Sequence, residues 1–156
     1  MSRRLWLASA ALTLASLAGA PARAETRWSA EALLAEAQAK GITTIDEFLK
    51  HLPLPLRENY VFMEQSRSLA RATVEQPRAI LFGTDARILI AVSSMPSDPL
   101  FNVIEVLQQD ATTGVWSFRL IDFRSGAPVL TPAPEVCSTC HGHPARPIWE
   151  IGRAHV

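Results

Sequence analysis

Apolar residues first recur at helical spacing between Ser29 and Gly41. Leu33, Leu34 and Ala37 fall on one face of a helix in this segment. Serine is a preferred residue at the start of a helix, and glycine is preferred just after its end. The segment is therefore predicted to form a helix of about three turns.

A second apolar stripe follows after a short break. Thr44 and Glu47 are spaced as in a capping box, in which each side chain bonds the backbone N–H of the other residue. The helix that this box predicts runs through Leu52. Pro53 and Pro55 are expected to end it, because proline lacks the backbone N–H that a helix interior needs.

From Tyr60 onward the apolar residues form short extended runs instead. These runs are residues 60–63, 79–82, 88–92, 103–107 and 116–121. Turn residues at 83–85 and 110–114 join four of them into two hairpins. The fold class predicted is α+β, with an N-terminal helix pair, an antiparallel β-meander of four to five strands, and then a Pro-rich loop.

The N-terminal residues 1–24 have the pattern of a secretory signal peptide. Two arginines precede an apolar run from Leu5 to Ala20, and a small-x-small cleavage signal ends at Ala24. The run is shorter than the ~20 residues of a membrane-spanning helix. We expect cleavage after Ala24, export to the periplasm or the medium, and no membrane span after cleavage. An uncleaved N-terminal anchor is the alternative.

The charge balance of the chain is even, with 15 basic and 15 acidic residues. Removal of residues 1–24 would leave 12 basic residues against 15 acidic ones. Because this balance provides no strongly basic surface, we expect no nucleic-acid partner. The remaining length suits one small domain, which we place at residues 25–130, followed by the start of a second region at 131–149.

The chain's only two cysteines lie in the segment Cys137-Ser138-Thr139-Cys140-His141, within the predicted Pro-rich loop. The C-x-x-C-H spacing is the attachment signature of a c-type haem. Two thiols at this spacing can add to the vinyl groups on one edge of the porphyrin, and the histidine is then held beneath the iron. We predict covalent haem c at Cys137 and Cys140, with His141 as the proximal iron ligand.

Other interpretations of the two cysteines stay open. A thioredoxin-like redox pair needs a βαβ setting and a helix that begins at the first cysteine, whereas residues 131–135 are turn and loop residues. A zinc site could add His143 to the three residues of the motif, although adjacent ligands at 140 and 141 suit a tetrahedral shell poorly. A disulfide would be strained across so short a loop.

A second axial ligand would lie on the far side of the iron. Met63 and Met95 are candidates, because methionine ligates the iron in cytochromes c. A methionine in a strand, such as Met63, more often packs in a core. Arg146 could pair with a haem propionate, and Trp149 could pack on the edge of the haem ring. The alternative is that Arg146 is an ordinary loop residue and that Trp149 packs in the core.

Three parts of the chain resemble a group of largely uncharacterised bacterial cytochrome c domain proteins. They are YVFMEQSRS at 60–68, QPRAILFG at 76–83, and the segments CSTCHG and RPIW that begin at 137 and 146. The resemblance implies thioether attachment at Cys137 and Cys140 and proximal ligation by His141. It also implies haem attachment outside the inner membrane and a longer protein, whose distal ligand lies downstream of the motif.

The final residues, 150–156, can be encoded by the first bases of a widely used DNA-sequencing adapter. We therefore expect natural sequence to stop near Trp149, and we do not offer His155 as a ligand. Reading the codons of this segment tests the expectation.

Together these features predict an exported c-type cytochrome that passes single electrons to a redox partner protein. One alternative is a peroxidase-like haem enzyme with an open distal site, which would need a distal acid–base residue. Another is a recognition module at 25–130 with an appended haem loop. A six-coordinate low-spin spectrum would favour electron transfer, a high-spin spectrum that shifts with peroxide would favour the enzyme, and a partner retained by 25–130 would favour the module.

Overall fold

The computed structural model describes residues 28–65 and 72–148. The predicted signal peptide, Trp149 and the predicted adapter-derived segment therefore lie outside the described residues. Within them the fold is α+β, as predicted, with helices packed on an antiparallel sheet.

The two predicted helices are present with the predicted caps. Helix α1 spans Ala30–Ala39, and the Ser29 hydroxyl accepts a hydrogen bond from the Ala32 N–H. Gly41 follows it with a φ of 65°, the left-handed conformation that glycine adopts without a steric penalty. Helix α2 spans Ile45–His51, and the Thr44 hydroxyl accepts from the Glu47 N–H.

A third helix was not predicted. Helix α3 spans Leu54–Glu58, with Pro53 as its N-cap and Pro55 in its first turn. Proline is tolerated there because the first N–H groups of a helix have no partner within the helix. The prolines therefore end α2, as predicted, and begin another helix.

The sheet has six strands in the order β1-β2-β3-β4-β5-β6, so each strand pairs antiparallel with its neighbour in sequence. The strands are β1 Tyr60–Met63, β2 Arg78–Phe82, β3 Ile88–Ser93, β4 Val103–Gln109, β5 Trp116–Asp122 and β6 Val129–Pro132. The prediction of four to five strands missed β6, which lies in the Pro-rich segment and runs across the boundary that we predicted at residue 130.

One face of the sheet packs against the helices, and we call it the helix face. Its core residues include Leu81, Ile90, Ile104, Val106 and Ile121. Helix α1 is also held there by polar contacts, since Gln108 Oε1 accepts a hydrogen bond from the Ala30 N–H at 2.7 Å. This face contains the main hydrophobic core of the described residues.

The opposite face, which we call the motif face, carries the alternate residues of the same strands. It includes Arg78 of β2, Ser93 of β3, Glu105 of β4, and Phe118 and Leu120 of β5. The segment after β6 returns to this face, where the ring of His141 packs on Phe118. The C-x-x-C-H motif is thereby placed on the side of the sheet away from α1, α2 and α3.

No helix in the ranges 28–65 and 72–148 combines the length and the apolar sequence needed to cross a membrane.

Candidate functional site

The C-x-x-C-H motif lies on a short helix rather than in the predicted loop. Helix α4 spans Val136–His141, and its first turn is closed by a hydrogen bond from the Cys137 N–H to the Pro134 carbonyl oxygen. Prolines precede this helix and do not interrupt it. The segment predicted as a Pro-rich loop therefore contains the strand β6 and the helix α4.

The helix explains how the motif residues can act together. Cys137, Cys140 and His141 stand at positions i, i+3 and i+4, which lie on one side of a helix. Gly142 ends the helix with a φ of 77°. Two thiols and an imidazole thus project from a single helical turn.

The two cysteines differ in their surroundings. Neither forms a disulfide; Cys137 is half-buried and Cys140 is exposed. Burial raises the pKa of the Cys137 thiol, and the carboxylate of Glu105 on the sheet below adds to this rise. Before any attachment reaction, Cys137 therefore resists ionisation.

The ring of His141 has a fixed orientation. Its Nδ1 lies 2.9 Å from the Arg146 carbonyl oxygen, which can only accept a hydrogen bond, so Nδ1 carries the proton. In the neutral ring, Nε2 is then the nitrogen with the lone pair, and it is the atom through which imidazole would bind a metal. Phe118 of the motif face supports the ring, with 4.8 Å between ring centroids.

A buried ion pair lies on the motif face near α4. Arg78 Nη2 contacts Glu105 Oε2, and the two residues are only 6% and 8% exposed. Burial raises the pKa of Glu105, the negative charge of Asp98 adds to the rise, and Arg78 and His141 oppose it. Sequence analysis missed this pair, although a single charged residue inside the apolar run of β4 was a signal for it.

The zinc alternative is not assembled. In the described part of the chain, no group of three or more His, Cys, Asp or Glu side chains could hold a metal ion. The thioredoxin-like alternative gains the helix that it lacked in the sequence analysis, because α4 begins one residue before Cys137. It does not gain the βαβ setting, since all six strands are antiparallel.

The smaller candidates fall in different places. Met95 is buried, at 9% exposed, in the loop after β3, while Met63 is half-buried on the edge strand β1. His143, which the zinc alternative would add to the motif, is exposed.

A groove in the described residues lies elsewhere. It has a volume of about 420 Å³ and is lined by α2, β1 and β2 residues that include Lys50, Tyr60 and Phe62. Tyr60 and Phe62 belong to the helix face, by their pairing with β2. The groove is therefore separate from the motif.

Comparison with known proteins assigns no family: no family model, curated protein or solved structure matches the chain. The likeness to bacterial cytochrome c domain proteins therefore rests on the residues quoted above. The chemistry of the donor set can still be tested against the group that it predicts. Two unpaired thiols and an imidazole with a free Nε2, all on one helical turn, fit a covalently attached haem.

Proposed function

We propose that this protein is an exported c-type cytochrome that binds one haem and transfers single electrons. Cys137 and Cys140 would form the thioether bonds, and Nε2 of His141 would ligate the iron. When bound, the haem would supply a one-electron couple between ferrous and ferric iron.

The observation that carries the proposal is the hydrogen bond between His141 and Arg146. It selects the tautomer with Nε2 unprotonated and holds the ring before any metal is present. Phe118 adds to the restraint by packing on one side of the ring.

The motif face gives the site an apolar floor. Leu107 and Leu120 are 5% and 6% exposed, and they flank Glu105 on the same face. These covered apolar side chains keep water away from the sheet side of the motif, which strengthens charge interactions there. This surface is where the chain itself would tune the iron's potential.

The test is expression with a c-type haem maturation system in a bacterial periplasm, followed by a denaturing gel stained for haem. We expect the band to keep its haem, and the intact mass to increase by one haem. Cys137→Ala with Cys140→Ala should abolish the stain, and His141→Ala should reduce it strongly. His143→Ala is the matched control and should stain like the unaltered protein.

The outcomes separate the interpretations of the cysteines. A chain with no covalent haem and two alkylatable thiols would refute the proposal. A chain whose mass is two hydrogens lighter and is restored by reductant would instead indicate a thioredoxin-like pair. Zinc that stays bound to the purified chain, with neither thiol open to alkylation, would indicate the zinc site instead.

A further inference from the structure

The buried polar side chains of the described residues all lie in one cluster. They are Arg78, Ser93, Asp98 and Glu105, each between 5% and 8% exposed. Arg78 and Ser93 are paired across β2 and β3, and the Ser93 hydroxyl donates to Asp98 Oδ2 at 2.8 Å. We call these four residues the buried polar cluster.

The cluster has an uneven charge. It contains one arginine and two carboxyl groups, so it carries a net negative charge when both carboxyls are ionised. Burying an uncompensated charge is costly, and a carboxyl group can avoid the cost by binding a proton. Asp98 accepts hydrogen bonds at both oxygens, from the Ser93 hydroxyl and from the Leu100 N–H at 2.8 Å.

Glu105 lies on the motif face opposite Leu120, two residues along β5 from Phe118, and the Phe118 ring packs on His141 with 4.8 Å between centroids. Glu105 interacts electrostatically with Cys137 and His141 on α4, as well as with Arg78 on β2 and Asp98 in the loop after β3. Within residues 28–65 and 72–148, these are the charged and titratable groups that act on it. A haem attached at Cys137 would therefore bring the changing charge of its iron close to Glu105.

We propose that Glu105 binds one proton when the attached haem is reduced and releases it when the haem is oxidised. The inference rests on the function proposed above. A Glu105 carboxylate oxygen gains a proton from water, while the iron gains one electron from a one-electron donor, so the charge of the site is unchanged. The arrangement favours this because the ferric site stabilises the ionised carboxylate, and reduction removes that stabilising positive charge.

The expected signature is a reduction potential that depends on pH. Uptake of one proton per electron changes the reduction equilibrium constant tenfold per pH unit, which corresponds to about 59 mV. We expect the potential to fall as pH rises through the window between the pKa of Glu105 in the oxidised protein and its higher pKa in the reduced protein. Outside the window, Glu105 should contribute no slope.

The test is a potentiometric titration with soluble one-electron mediators between about pH 5 and pH 9, a range that brackets a raised glutamate pKa. Glu105→Gln should lose the slope in the window, because glutamine keeps the shape but cannot ionise. Glu47→Gln, at an exposed glutamate on α2, is the matched control and should keep it. Any haem-propionate titration would persist in both variants.

A second measurement needs no variant. A reduced-minus-oxidised infrared difference spectrum should show a protonated carboxyl C=O band that appears on reduction and shifts when glutamate is carbon-13 labelled. A haem-containing protein without this band, or a Glu105→Gln variant with the unaltered slope, would overturn the proton-uptake proposal alone. A protein that attaches no haem would overturn the proposed function and this inference with it.

Discussion

Removal of Arg78 should destabilise the protein far more than removal of an exposed arginine. In Arg78→Met the Glu105 carboxylate stays buried, because its side chain is only 10% exposed, and it loses its oppositely charged partner. Breaking a buried ion pair by removing one partner costs about 3–5 kcal/mol. Against a typical free energy of unfolding of ~5–15 kcal/mol for a domain, this would be a large loss.

The loss of unfolding free energy in Arg78→Met should depend on pH, and the pKa shift of Glu105 determines the direction of this dependence. Its pKa is raised in the folded protein, so the fold binds the proton more tightly than the unfolded chain does. The free energy of unfolding is therefore highest below the ordinary glutamate pKa and falls as pH rises through the raised value. Without Arg78 the pKa of Glu105 in the folded protein rises further. The free energy of unfolding of Arg78→Met should therefore be closest to that of the unaltered protein at acidic pH.

The assay is urea unfolding of the haem-free chain, followed by tryptophan fluorescence at several pH values. Arg124→Met is the matched control, because Arg124 pairs with Asp122 but its side chain is 58% exposed. An exposed pair contributes little, so this variant should unfold near the unaltered midpoint. The double variant Arg78→Met, Glu105→Leu should recover most of the loss. Equal effects of the two arginine substitutions, or a loss that is the same at all pH values, would refute the reasoning.

Three further predictions concern the core, a turn and the motif. Ile104→Ala, at a residue with no exposed surface on the helix face, should lower the free energy of unfolding by ~2–5 kcal/mol in urea titrations, whereas the half-exposed Val115→Ala should change it little. Gly41→Ala should cost ~1–2 kcal/mol in the same assay, because Gly41 has a φ of 65° and no atom within 4 Å would clash with the added methyl group, so backbone strain alone is measured. In a Cys140→Ser background, Glu105→Gln should speed alkylation of Cys137 at mildly alkaline pH, because the Glu105 charge raises the pKa of that thiol; an unchanged rate would show that the two groups are not coupled.

The parts of the fold that follow from short segments were predictable. Helices α1 and α2 begin where Ser29 and Thr44 predict, because capping depends only on residues three or four positions away. The strands from β1 to β5 were located to within two residues, since alternation and turn residues are also local signals. The order of the meander follows from short hairpin connections, which place successive strands side by side.

The missed elements share a cause, which is proline. We took prolines as signals of loops, yet Pro55 lies in the first turn of α3 and Pro132 is the last residue of the edge strand β6. Both are positions where the missing N–H costs little. Pro128 is fully buried beside β6, so the segment packs on the sheet although its sequence carries few apolar residues. Only the tertiary contact with β5 distinguishes this strand from a loop.

In the candidate site too, residues close together in sequence were predictable, whereas residues that come from distant strands were not. The spacing of Cys137, Cys140 and His141 is local, so the sequence was enough to propose the attachment chemistry. Glu105 reaches the site from a strand in the middle of the sheet, and Arg78 reaches it from a position 27 residues earlier. Alternation does predict that Glu105 and Ile104 face opposite sides of β4, but it does not say that both sides are buried.

A charged residue in an apolar strand is explained by what lies near it, and here α4 packs on the same face of the sheet through His141 and Phe118. If α4 served only to close the sheet, an apolar residue at position 105 would pack there at lower cost, because two buried charges must be desolvated to form the pair. The ion pair instead lies where a change of charge at Cys137 or His141 would change the electrostatic energy of the Glu105 carboxylate. That placement connects haem attachment at the motif with proton binding at Glu105. The chain that would hold the haem also holds a carboxyl group that could bind a proton when the charge of the haem changes.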